Sequence, residues 1–213
     1  MAKIEAYSPE WYEFRIGVLT ASDLYDMICT PKKKPRPYVM KKLAERLTGE
    51  SQDKQFINDS IAWGVENEPH AFKALIENVP TVELEEDSYF MTWEEMPNFG
   101  ATCDRVGRYN RDKCVFEVKC PDTATHLRYS LMESVDDLKK VEPKYYWQIV
   151  GGAIVHDTDV GMFVSYDRRV KYGQLFYLPF EIDGNDIDIA KDAIHKTEKE
   201  IKFLFSKIKN QNK

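Results

Sequence analysis

From Lys113 to Lys119 the chain reads KCVFEVK, an apolar strand pattern carrying a carboxylate and an ammonium near its end. Successive side chains of a strand point to opposite faces, so Glu117 and Lys119 project from the same one. A second strand-like run, Phe99 to Val106, precedes it. The turn residues Gly107, Asn110 and Asp112 between them predict a hairpin. Asp104 then lies near the end of the earlier strand, and a modest offset brings its carboxylate toward Glu117. Two carboxylates and a backbone carbonyl form the oxygen site that Mg²⁺ accepts while keeping several waters. A lysine on the same face can orient or polarise a water there, which completes an inventory for phosphodiester hydrolysis. The spacing alone is permissive: a surface Glu/Lys alternation on an edge strand, with Asp104 as a turn residue, reads the same way.

The rest of the chain places this hairpin between helices. Ser8-Pro9 supplies an N-cap and an N1 proline, with Gly17 as a stop, and Ser22 caps a short helix to about Ile28. Val39 to Leu47 reads as a helix closed by Gly49. Asp59 to Asn78 has helical spacing, which Pro69 must kink or divide. Thr81 to Trp93 is strand-like. Helical patterns follow at Thr123 to Glu133 and Pro143 to Val155. Strands at Val160 to Tyr166 and Tyr172 to Ile182 precede a last helix from about Asn185 to Lys209. The order predicts a mixed sheet flanked by helices, an α/β or α+β fold in one domain over residues 1–213.

Composition removes several classes. The 213 residues contain 36 acids and 30 bases, a net charge of −6, which speaks against a protein that coats nucleic acid but not against an enzyme with one basic groove. No apolar run approaches the roughly 20 residues of a membrane span. The opening MAKIEAYSPEW has no apolar leader core, and the 4 cysteines have neither zinc spacing nor a CxxC, so a cytoplasmic protein with reduced thiols and no membrane association is expected. The 4 histidines are scattered, which supports neither a His-metal nuclease nor a Ser-His-Asp hydrolase. Seven bases and one acid lie between Pro31 and Arg46, and seven acids and no base between Glu77 and Glu95. Lys32, Lys33, Lys34 and Arg36 sit in a proline-containing loop that can follow a phosphate backbone, or simply form a solvated face.

Five segments, Trp11 to Ser22, Ala62 to Glu68, Glu117 to Pro121, Gln148 and Phe163 to Asp167, together resemble the PD-(D/E)XK nuclease superfamily, and within it the phage lambda exonuclease and YqaJ-type viral recombinase nucleases. Trp11-x-x-x-Arg15-x-Gly17-Val18-x-Thr20-Ala21-Ser22 matches the N-terminal signature, and Ala62-Trp63-Gly64-x-x-x-Glu68 the helical element. Glu117-Val118-Lys119-Cys120-Pro121 matches the catalytic strand end, Gln148 the helix glutamine, and Phe163 to Asp167 the late strand. The resemblance implies that Asp104, Glu117 and the Val118 carbonyl bind Mg²⁺, with Mn²⁺ substituting, and that Glu68 assists directly or through water. It implies that Lys119 positions the attacking water, Gln148 orients the site, and Arg15, Thr20 and Ser22 grip a terminal 5′-phosphate. Cys103 and Arg105 depart from the Pro and Gly that flank the metal Asp in the family, and Arg105 is readable as a DNA contact or a surface residue. The implied activity is ATP-independent 5′-to-3′ digestion of linear double-stranded DNA to mononucleotides. It would leave a 3′ overhang for recombination, from a ring-shaped homotrimer partnered by a phage single-strand annealing protein. A DNA endonuclease on the same fold and a non-catalytic DNA-end-binding module are the alternatives.

Overall fold

The computed structural model describes residues 4–6, 8–29, 36–52, 59–85 and 88–211. Strand β1 (Ile4–Glu5) leads to helix α1 (Pro9–Phe14), where the Ser8 hydroxyl accepts from the Trp11 N–H at 3.1 Å, as an N-cap should. Strand β2 (Leu19–Thr20), a 3₁₀ turn (Ala21–Asp23) and the short α2 (Leu24–Ile28) follow. Helix α3 (Pro37–Thr48) ends at Gly49 in the left-handed conformation. Helix α4 (Asp59–Asn78) continues through Pro69 as a single element. The proline removes one N–H and crowds the Val65 carbonyl, but Val65, Pro69 and His70 are exposed, so water can take the freed oxygen.

Two expected strands each divide. Thr81 to Trp93 becomes β3 (Val82–Leu84) and β4 (Tyr89–Trp93), and Phe99 to Val106 becomes β5 (Met96–Thr102) and β6 (Arg105–Tyr109). The halves belong to different sheets, one ordered β1-β4-β5-β2. The other, completed by β7 (Asp112–Lys119), β8 (Val160–Tyr166) and β9 (Leu175–Glu181), is ordered β3-β6-β7-β8-β9. Both mix parallel and antiparallel pairs. The β6–β7 hairpin turns at Asn110 and Arg111, both at positive φ, and Gly107 lies inside β6.

Helices α5 (Thr123–Tyr129), α6 (Val135–Val141) and α7 (Pro143–His156) connect β7 to the parallel β8, and α8 (Gly184–Asn210) closes the described chain. The stretch Thr123 to Glu133 is thus a shorter helix than its pattern predicts, and α6 is an addition. Every residue from Ile149 to His156 is buried, because α7 lies between the two sheets and meets β4, β5, β7 and β8. Strand β7 divides two apolar clusters. Cys114, Phe116 and Val118 pack with Ala71, Phe72 and Leu75 of α4, whereas Val115 packs with α7. Glu117 and Lys119 share Val115's side and therefore face α7.

Helix α8 buries Ala190, Ala193, Ile194, Thr197, Glu198 and Ile201 along one stripe. Arg36, a candidate DNA contact by sequence, is 5% exposed and serves this interface instead. Its guanidinium donates to the Met27 carbonyl at 3.0 Å and the Thr197 hydroxyl at 2.9 Å, and pairs with Glu200 at 3.0 Å. Lys42 pairs with Glu45 at 2.9 Å and Arg46 with Glu198 at 2.7 Å, so these bases are structural too. Lys32, Lys33 and Lys34 lie outside the described residues. No helix among the described residues is long and apolar enough to cross a membrane.

Candidate active site

Asp104 occupies the step between β5 and β6, where the chain leaves one sheet for the other. The β6–β7 ladder ends at Arg105 opposite Phe116, which leaves the Val118 N–H beyond its last rung. Asp104 Oδ2 accepts that N–H at 2.7 Å, so the break that ends the strand also fixes the carboxylate beside Glu117. Lys119 Nζ donates to Glu117 Oε1 and stands 3.9 Å from Asp104 Oδ2. Its ammonium also lies 5.0 Å from the centre of the Tyr145 ring on α7. Glu68 enters from α4, and Arg105 Nη1 stands 3.8 Å from its Oε1 while donating to the Asp104 carbonyl at 2.7 Å. Glu66 points elsewhere and pairs with Arg168 at 2.8 Å. Two residues apart on a helix, Glu66 and Glu68 point about 200° apart, so only one of them can face the site.

These charges perturb one another. Burial, reinforced by Asp104, pushes the Glu68 carboxyl up to about 7 despite Arg105 and Lys119. Burial and Asp104 push the Glu117 carboxyl up to about 8. Burial works against the charged form of Lys119, but Glu117 and Asp104 override it and hold the ammonium charged. Three carboxylates thus face two cations in a confined space, a charge pattern that a divalent ion would relieve. The donors are hard oxygens, which suits Mg²⁺. The neighbouring thiols do not compete, since burial keeps Cys103 well above its ordinary value and moves Cys120 up to about 12. Among the described residues no three His, Cys, Asp or Glu side chains already converge as ligands. The oxygens available to a metal are those of Asp104 and Glu117, the Val118 carbonyl, and Glu68 at the margin.

The second half of the site comes from the N-terminal segment. The Arg15 guanidinium lies 3.9 Å over the Trp11 ring, and Trp11 Nε1 donates to Thr102 Oγ1 of β5 at 2.8 Å. Gly17 is held from both sides by α3: its N–H donates to Glu45 Oε2 at 2.9 Å, and its carbonyl accepts from Arg46 Nε at 2.7 Å. Thr20 Oγ1 lies 3.1 Å from Ser22 Oγ and donates to Asp23 Oδ2 at 2.7 Å. Ser22 does not open a helix, contrary to its expected role; it lies within the 3₁₀ turn. What lets this turn and Cys103 approach α7 so closely is glycine in that helix. A Cβ on Gly151 would fall 2.7 Å from Ala21 Cβ, and one on Gly152 would fall 2.6 Å from Cys103 Sγ.

A single cleft of about 380 Å³ is lined by Trp11, Arg15, Thr20, Ser22, Glu68, Asp104, Arg105, Lys119 and Gln148, among others. Glu117 lies just behind it, 3% exposed, against Gln148. Glu45, Arg46 and Tyr145 join the site without having been singled out for it by sequence, whereas Trp11 opens the N-terminal motif and Arg105 stands beside Asp104. Glu45 and Arg46 act from a helix whose distance in sequence conceals the contact.

A family model described as the YqaJ-like viral recombinase domain matches residues 10–159. No curated protein matches the chain. Among solved structures, LHK-Exo in complex with dAMP is 26% identical, covers 96% of this chain and 98% of its own, and superposes with a TM-score of 0.80. The alkaline exonuclease LHK-Exo from Laribacter hongkongensis is also 26% identical, over 96% of this chain and 98% of that one, with a TM-score of 0.79. A phage related exonuclease from Haemophilus somnus 129PT shares the fold at 17% identity, over 90% of this chain and 96% of that one, with a TM-score of 0.66. The chain is a homologue of an alkaline exonuclease and belongs to the YqaJ-like viral recombinase domain family.

Proposed function

We propose that this protein is a Mg²⁺-dependent exonuclease that digests linear double-stranded DNA from its 5′ ends, releasing mononucleotides and leaving a 3′ overhang for recombination. The observation that carries the reading is the joint cleft. Arg15, Thr20 and Ser22 line the same volume as Glu68, Asp104, Lys119 and Gln148. A group that holds a terminal phosphate beside a group that hydrolyses a phosphodiester measures the cut from the end, which is how an exonuclease differs from an endonuclease. A structural relative described with dAMP, a deoxynucleoside monophosphate, agrees with mononucleotide release.

Arg15 offers a planar fork of donors to the terminal phosphate, preorganised by its stacking on Trp11. Asp104, Glu117, the Val118 carbonyl and Glu68 would hold the divalent cation. When bound, that ion supplies Lewis-acid stabilisation of charge at phosphorus and acidifies water. Lys119, anchored by Glu117, orients the attacking water, and Gln148 reaches the same space from α7. The reading extends to a homotrimeric ring around the duplex and an annealing protein that takes over the overhang. The described basic residues Arg36 and Arg46 are committed to pairs with α8, and Lys42 to a buried pair with Glu45, so they do not line such a ring.

The deciding experiment uses linear duplex labelled separately at each end, beside a closed circle, with and without Mg²⁺. Mononucleotides from the 5′-phosphorylated strand and an intact circle are expected. A cut circle would replace the reading with an endonuclease, and binding of ends without digestion would replace it with an end-binding module.

A further inference from the structure

The loop after β8 is braced far more heavily than its own packing requires. Asp167, fully buried, accepts from Thr123 Oγ1 at 2.6 Å and from Arg169 Nε at 2.8 Å and backbone N–H at 2.9 Å. Arg169 Nη2 in turn donates to the Pro121 carbonyl at 3.0 Å. Gln174 Nε2 donates to the Arg168 and Val170 carbonyls at 3.1 and 2.9 Å, closing the loop on itself. Beneath it, buried His126 joins Ser165 Oγ through Nδ1 and the Gly173 carbonyl through Nε2, each at 2.8 Å.

This brace ties the loop to both catalytic elements. Ser165 pairs in register with Lys119, and Pro121 follows Lys119 by two residues. On the other side Arg168 pairs with Glu66 of α4 at 2.8 Å. The guanidiniums of Arg168 and Arg169 lie 5.0 and 4.2 Å from the centre of the Trp63 ring, on the same helix as Glu68. Among the exposed residues of the loop, Lys171 and Tyr172 take no part in this brace, and Tyr172 is 89% exposed. Three bases and a tyrosine occur within Arg168–Tyr172, in a chain of net charge −6.

A braced loop that follows the strand paired with Lys119 and leaves a tyrosine 89% exposed beside an exposed lysine has the composition of a single-strand contact. Every base offers a π-face, and fixing the ring in advance lowers the ordering cost of stacking on it. We propose that the Asp167–Gln174 loop is a nucleic-acid platform on which Tyr172 stacks with an unpaired DNA base while Lys171 meets an adjoining phosphate. The proposal rests on the nuclease reading and adds to it a strand-holding surface outside the cleft.

The test measures binding of a duplex with a single-stranded 3′ tail carrying 2-aminopurine, in EDTA so that nothing is digested. Tyr172→Ala should weaken binding about tenfold and remove the fluorescence quenching caused by stacking, and Tyr172→Trp should retain both. Lys171→Ala should lower the slope of log affinity against log salt by about one. Unchanged affinity and quenching in Tyr172→Ala would overturn the proposal and leave the nuclease reading standing. No DNA binding by the parent protein would overturn both. Normal DNA binding together with a changed oligomeric mass in Tyr172→Ala would reassign the ring to a protein interface and so reject the proposal.

Discussion

Replacing Gly151 by alanine tests whether close packing of α7 against the Ala21–Asp23 turn is what aligns the two halves of the cleft. The new Cβ would stand 2.7 Å from Ala21 Cβ and 2.9 Å from Ala21 Cα. Carbon atoms prefer about 3.5–4.0 Å, so the turn must retreat by about 1 Å. Overpacking of this kind costs about 1–3 kcal/mol, and removing a glycine from a helix interior returns up to about 1 kcal/mol. The net loss of stability should therefore be about 1–2 kcal/mol, small enough to leave the protein folded. The functional effect should be larger, because Ala21 lies between Thr20 and Ser22, and a misplacement of about 1 Å can cost about 100-fold in rate. Denaturant unfolding and steady-state digestion of 5′-phosphorylated and 5′-hydroxyl duplexes measure the two effects separately. The reasoning fails if Gly151→Ala digests phosphorylated ends at the parent rate and with the parent's preference.

Further predictions concern single residues. Lys119→Ala should retain fold and DNA binding but lose cleavage by about 100-fold or more; near-parental turnover would remove Lys119 from the chemistry. Arg36→Ala should destabilise by about 3 kcal/mol by stripping partners from Glu200, Thr197 and the Met27 carbonyl, with DNA affinity unchanged; weaker DNA binding at unchanged stability would restore it as a contact. Burial alone would raise the Asp167 carboxyl, but its bonds to Arg169 and Thr123 prevail and bring it down to about 2. A depressed folded value means stability that is present above about pH 4 and lost as the pH falls toward 2, worth about 2 kcal/mol. The parent's stability should therefore fall more steeply between about pH 4 and 2 than that of Asp167→Asn, whose curve lacks this contribution. Identical curves would show that the bonds do not select the charged form.

Where pattern and structure part, the cause is an interaction outside the sequence window. Pro69 must kink or divide its helix, and of the two it does not divide it: α4 stays one element because the strained side faces water while Ala71, Phe72 and Leu75 pack on β7 and β8. The bases from Pro31 to Arg46 look like a solvated or phosphate-binding run. Arg36, Lys42 and Arg46 are instead neutralised by Glu200, Glu45 and Glu198, two of which come from a helix about 150 residues later. Both divided strands change sheets at positions where the residue pattern stays strand-like, since periodicity reports burial of a face and not which sheet buries it.

Local chemistry was therefore legible from the residues alone: the shared face of Glu117 and Lys119, the Ser8 cap, the end of α3 at Gly49, and the five motifs that mark the family. Those depend on covalent spacing and on contacts within a few residues. Tertiary structure decided what spacing cannot carry: Asp104 held by the Val118 N–H, Gly17 gripped by Glu45 and Arg46, and the turn at Thr20–Ser22 let close to α7 by glycine in that helix. Each of these joins segments at least 14 residues apart, and its energy exists only once those segments have packed together.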